Sequence, residues 1–104
     1  MKRFSTKRAQ LEELYRKVLQ ELIREREYSF CDGCLLNVPV TPSHLIPRGY
    51  DITLLADPEN IHFHCQACAD KCETGKYKEL VDGEKIVEYI ERTRPEYLKI
   101  KMLK

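Results

Sequence analysis

The sequence predicts an α+β fold: a long N-terminal helix, a core of short extended segments pinned by cysteines, and a C-terminal helix. Three patterns carry that prediction. Apolar residues recur at three- and four-residue steps early in the chain, two C-x-x-C pairs bracket a proline-rich middle, and a second helical pattern stops short of Pro95. The 104 residues suffice for a single small domain, read as a helix over residues 1–28, a core over 29–82 and a helix with a tail over 83–104. A chain of this size buries a modest core, a range in which metal staples become common.

Residues 6–27 read as one amphipathic helix. Leu11, Leu14, Tyr15, Val18, Leu19, Leu22 and Ile23 form its apolar stripe, Ser5 or Thr6 is placed to cap its start, and Glu12–Arg16 and Glu13–Lys17 pair one turn apart. The stripe is expected to pack on the rest of the domain. The alternative, a self-associating helix, has only about three heptads to work with.

The pattern then breaks. Cys31-Asp-Gly-Cys34 is a tight turn, and Pro39, Pro42 and Pro47 forbid a continuous helix, so short extended pieces joined by turns are expected. In "DPENIHFHC", Ile61, Phe63 and Cys65 alternate with His62 and His64, a strand signal. A short helix over 66–74 is closed by Gly75, and a further helix over 84–94 puts Ile86, Val87 and Ile90 on one face. The tail "EYLKIKMLK" alternates like a strand and is equally compatible with helix.

Composition narrows the function classes. A hydrophobic fraction of 42% with 34% charged residues excludes compositional disorder. No apolar run approaches ~18 residues, so no spanning helix and no membrane partner are expected. The N-terminus is basic without a following apolar segment, which points away from a secretory signal and towards the cytoplasm. In that reducing compartment five cysteines suggest metal ligands more than disulfides. Net charge is only +1, but Lys2, Arg3, Lys7 and Arg8 gather at one end, and Arg92, Arg94, Lys99, Lys101 and Lys104 at the other. These ends fit a phosphate-contacting surface; the plainer reading is a solvated face.

Cys31, Cys34, Cys65 and Cys68 form two matched pairs with 30 residues between them. Cysteines at i and i+3 in a turn direct both thiolates to one ion, and two such knuckles complete a closed tetrahedral Zn²⁺ site. A closed site has no open position, so this zinc is expected to be structural. A thioredoxin-like redox pair would require a βαβ pattern, and neither pair follows one.

Between the knuckles stand His44, in "SHLIPRG", and Asn60, five residues before Cys65. This order of C-x-x-C, His, Asn and C-x-x-C resembles the HNH endonuclease superfamily, whose core is a ββα-metal unit. The segments "SHLIPRGYD", "NIHFHCQAC", "TGKYKEL" and "DGEKIVEYIE" are similar, in order, to the phage NinG/Rap recombination endonucleases, over roughly residues 31–91. The resemblance implies metal-assisted hydrolysis of DNA phosphodiesters, on branched or single-stranded substrates, in a host cytoplasm. His44 would be the general base, Asn60 would hold the hairpin loop and so orient His44, and Arg48 would contact a phosphate. A catalytic Mg²⁺ or Mn²⁺ would neutralise the attacked group.

Two ligand positions usual in HNH relatives are Ser43 and Ala69 here; alanine offers no donor and serine a poor one. His62, Asp70 and Glu73 are the candidate substitutes, with Cys72 read as an idle thiol. The retained His44 and Asn60 favour an enzyme. Ala69 favours the alternative, a catalytically silent zinc module of the same fold that binds DNA or a protein partner.

Overall fold

The computed structural model describes residues 3–26 and 29–102; Lys2, Lys104 and the side chain of Arg3 lie outside what is described. The elements are α1 (Arg3–Glu25), β1 (Thr41–His44), β2 (Ile61–His64), α2 (Gln66–Glu73), α3 (Gly83–Thr93) and α4 (Pro95–Met102). Single 3-10 turns occur at Ile52–Leu54, Pro58–Asn60 and Tyr77–Glu79. Among the described residues the sheet consists of β1 and β2 alone, an antiparallel pair, so the chain is helix-rich and compatible with the α+β class.

Strand pairing decides which side chains share a face. Ser43 lies opposite His62, and His44 opposite Ile61. Directly opposed residues project to the same side, so His44, Ile61 and Phe63 occupy one face and Ser43, His62 and His64 the other. Pro42 is tolerated because β1 is an edge strand. Helix α1 runs along the His44 face. The Arg26 guanidinium sits 4.3 Å above the Phe63 ring, and the Tyr15 ring lies 5.0 Å from that of His44.

α1 begins earlier than its capping residues suggested, with Ser5 and Thr6 inside it. Its apolar stripe is only partly covered: Leu14 remains 50% and Ile23 55% exposed, and the other stripe residues are half-buried. The rest of the molecule packs more tightly. Leu45, Ile46, Ile86, Tyr89, Ile90 and Tyr97 form a continuous core with Cys31, Cys68 and Cys72. α2 ends in a two-bond cap, Lys76 N–H to Lys71 C=O and Gly75 N–H to Cys72 C=O, with Gly75 at φ 80°. The tail is helix through Met102. Pro95 is pre-set for a first helical turn, and α4 carries Tyr97 and Leu98 together onto the core. No helix among the described residues is long and apolar enough to cross a membrane.

Candidate metal centre and adjoining cleft

The Sγ atoms of Cys31, Cys34, Cys65 and Cys68 all lie within 4.8 Å of one another, close enough to hold one metal ion and consistent with structural zinc. Local structure explains the convergence. The first knuckle is a turn closed by Leu35 N–H to Cys31 C=O at 2.8 Å, which puts Leu35 at φ 61°. A Cβ on Gly33 would stand 2.8 Å from the Cys68 sulfur, so only glycine lets the second pair approach the first. Gly33 N–H and Cys65 N–H both donate to the Cys31 sulfur, at 3.3 and 3.2 Å. Burial pushes the Cys31 thiol up, but the backbone N–H groups of Cys65, Cys34 and Gly33 outweigh it and bring the thiol down to about 6. Cys68 moves the other way, raised by burial and by the neighbouring sulfurs. The cluster thus offers one ready thiolate, and a bound cation would favour ionisation of the others.

Asp32, inside the first knuckle, ties it to the strand. Its N–H donates to Phe63 C=O at 2.9 Å, and its carboxylate accepts from Phe63 N–H at 2.8 Å. The knuckle is therefore an extension of the hairpin, and whatever holds the sulfurs also holds β2.

Asn60 is completely buried, and each polar group of its amide is used. Its Oδ1 accepts from Ile46 N–H at 2.8 Å, and its Nδ2 donates to Ile46 C=O at 3.0 Å and Leu54 C=O at 3.1 Å. It thereby clamps both ends of the loop between β1 and the first 3-10 turn. The next carbonyl along, that of Leu55, accepts from His44 Nε2–H at 3.0 Å. That bond fixes the ring and leaves Nδ1 as the lone-pair nitrogen. Burial lowers the His44 pKa below its ordinary 6.5, the Leu55 carbonyl opposes this, and the Arg48 charge adds to the lowering. His44 is thus neutral near pH 7.

His44 opens on a cleft of about 340 Å³ whose walls include Ser43, Arg48, Ala69, Asp70 and Glu73. Asp70 and Glu73 are exposed on α2, and Asp70 accepts from Gln66 Nε2 at 2.9 Å. Arg48 reaches across to α1, where its guanidinium donates to the Glu12 carboxylate at 3.0 Å. The structure therefore brings His44, Arg48, Asp70 and Glu73 around one cleft.

It does not bring His62 there. His62 projects from the opposite face of the hairpin, where its Nδ1–H donates to Asp82 Oδ2 at 2.7 Å. His64 Nε2–H reaches the same oxygen at 2.8 Å. The expected approach of His62 to an ion beside His44 is not met, because strand alternation sets His62 with His64 on one face while His44 pairs with Ile61 on the other. Cys72 is buried and outside the sulfur cluster, its thiol pushed up to about 12 by burial and then by the Asp82 charge.

Comparison with protein families, curated proteins and solved structures finds no match.

The basic ends are partly committed elsewhere. Lys7, Arg8 and Lys99 are exposed, with Arg8 4.0 Å from the Glu12 carboxylate. Lys101 instead donates to Glu73 C=O at 2.6 Å, tying α4 to the end of α2. Asp82 and the Leu55 carbonyl are the participants that sequence reasoning missed. Asp82-Gly83 before a helical pattern reads as an ordinary N-cap, and a backbone carbonyl carries no sequence signal at all.

Proposed function

We propose that the chain is a metal-dependent DNA endonuclease of the ββα-metal type, stapled by a structural Zn²⁺ on Cys31, Cys34, Cys65 and Cys68. The observation that supports this most is the state of His44: ring held through Nε2, Nδ1 free, neutral at physiological pH, and facing a cleft that contains a guanidinium and two carboxylates. Those are the requirements of a general base beside an anionic substrate.

In this reading His44 Nδ1 takes the proton of the attacking water, and Arg48 contacts a phosphate oxygen once released from Glu12. The oxygen donors of Asp70 and Glu73 suit a hard cation, Mg²⁺ or Mn²⁺. When bound, such a cation would neutralise charge on the phosphate as its bond to the 3′-oxygen breaks. Asn60 acts through Leu55 as a positioning residue, and the sulfur cluster acts through β2.

The test is nicking of supercoiled plasmid, with single-stranded and branched DNA alongside. Wild type should cut with Mg²⁺ or Mn²⁺, and His44→Ala should lower the rate by about 10²-fold or more. A second reading is favoured by Ala69 and by the Glu12–Arg48 pair: a silent zinc module that binds nucleic acid or protein. Absence of cutting on every substrate with Mg²⁺, Mn²⁺ and Ni²⁺, with DNA binding unaffected by His44→Ala, would establish that reading instead.

A further inference from the structure

We propose that His62, His64 and Asp82 form a second metal site, separate from the cysteine cluster, that takes a divalent ion of the Zn²⁺ class with one coordination position left open. The three side chains present donor atoms all within 4.8 Å of one another. Two come from alternate residues of β2, which strand geometry aims to one side. The third is delivered by the start of α3. A Cβ on Gly83 would stand 1.9 Å from the Tyr77 carbonyl oxygen, so glycine allows that helix start to seat against Tyr77 and fixes Asp82 beside the strand.

Two observations on Asp82 point to a cation. Aspartate at a helix N-cap ordinarily accepts from its own helix's first N–H groups, yet Asp82 occupies the N-cap of α3 and makes no side-chain capping bond. Its carboxylate is turned to the histidines instead. One oxygen, Oδ2, receives both imidazoles, while the other, Oδ1, is buried without any hydrogen-bond partner. A buried carboxylate oxygen without a hydrogen-bond partner is a costly arrangement, and a cation held by the carboxylate through both oxygens would engage it. A purely hydrogen-bonded clasp leaves it unanswered.

The chemistry of the donor set selects the ion. Two imidazole nitrogens and a carboxylate oxygen suit a borderline divalent ion rather than a hard one. His64 is fully buried, and the His62 side chain keeps 17% of its exposure. Access is through a cavity of about 370 Å³ bordered by His62, Asp82, Asp32 and Lys85. That cavity gives water access to the site, and three protein ligands with one water match four-coordinate Zn²⁺. Donors ~2.0–2.1 Å from such an ion stand about 3.3 Å apart. The present 2.7 and 2.8 Å contacts need to open by about half an ångström. Each imidazole then carries its proton on its other ring nitrogen, leaving the nitrogen now turned to Asp82 as a lone pair for the ion. Three protein donors with an exchangeable fourth position is the pattern of reactive rather than purely structural zinc.

The test is metal stoichiometry of the full chain, by titration of metal-free protein with Zn²⁺ and, separately, Co²⁺, read by elemental analysis and visible absorption. Wild type should retain two ions after desalting, a step that strips any cation held only by the exposed Asp70 and Glu73. One should give the intense sulfur-to-cobalt charge-transfer bands of a thiolate site, and the other only weak ligand-field bands. His62→Ala and Asp82→Asn should each bind one ion with the charge-transfer bands intact. His62 is the partly exposed member, so its variant keeps the test open should Asp82→Asn fail to fold. A single ion in saturated wild type overturns the proposal without any variant, as does a second ion retained by His62→Ala. Nuclease activity enters neither readout.

Discussion

The hairpin and its knuckles are built differently from α1, although both touch residues of the cleft, α1 through Tyr15 on His44 and Glu12 on Arg48. On the hairpin side, Asn60 is fully buried with its amide satisfied, the Cys31 sulfur receives two backbone N–H groups, and Gly33 permits a contact that no other residue would. On the α1 side the helix itself offers a surface ion pair at 3.0 Å and a ring contact to His44, with Leu14 and Ile23 half exposed. Only Arg26, just past its end, is anchored more deeply, over Phe63 and paired with Asp32 at 3.5 Å. Buried polar groups with exact partners are costly to disturb, whereas exposed ion pairs contribute about 0–1 kcal/mol. The element that carries His44 is therefore the rigid one, and the exposed Glu12–Arg48 link to α1 is the one that can yield to a phosphate.

The largest effect should follow from breaking the sulfur cluster. Cys34→Ser or Cys65→Ser should abolish soluble folded protein or remove the cooperative melt, because metal-binding energy is folding energy in a site of this kind. Cys72→Ala is the control, buried but outside the cluster, and should cost about 1 kcal/mol. Equal damage from Cys72→Ala and Cys34→Ser would mean that the cluster matters only as packing.

Next in size is Asn60→Ala. It leaves Ile46 N–H and the Ile46 and Leu54 carbonyls without their partner at the buried base of the loop. The expected loss is about 3–5 kcal/mol in chemical denaturation, with activity lost even where the protein remains folded.

A smaller and more specific effect concerns pH. In the proposed endonuclease the base must be neutral to accept a proton, and His44 is held below 6.5 by burial and by Arg48. Cleavage should therefore rise with pH through a limb below pH 6.5 and be level above about pH 7. Arg48→Gln removes a lowering influence, so the limb should move to higher pH. A limb that stays in place would separate Arg48 from the His44 nitrogen electrostatically.

The smallest effect should come from α1. Glu12→Gln should change stability by less than about 1 kcal/mol, since the pair it removes is exposed. It should nevertheless strengthen DNA binding at low salt, by freeing Arg48 for phosphate. Weakened binding would show that Glu12 aligns Arg48 rather than occupying it.

What could be read in advance follows the same division. The knuckle spacing, the alternation through Ile61 and Phe63, Gly75 as a helix stop and the stripe of α3 are local patterns, and the structure contains each of them. The placement of His62 could not be read that way. Its side of the sheet depends on pairing His44 with Ile61, a contact made across the loop rather than along the chain. Asp82 meets His62 and His64 from 20 and 18 residues away, and Glu12 meets Arg48 across 36. The stripe on α1 was equally visible, but periodicity reports that an apolar face exists and not how much surface is available to cover it. The tail was ambiguous for a related reason: its alternation is as compatible with a strand as with the helix that brings Tyr97 to the core.

Amide hydrogen exchange, followed residue by residue with the metal present and after chelation, tests most directly whether a metal on the four cysteines holds the hairpin that positions His44. Chelation should remove protection from the Cys31–Cys34 turn, from β1 and β2 and from the Asn60-clamped loop, while exchange in α1 changes little. Hairpin protection that survives complete removal of metal would contradict it.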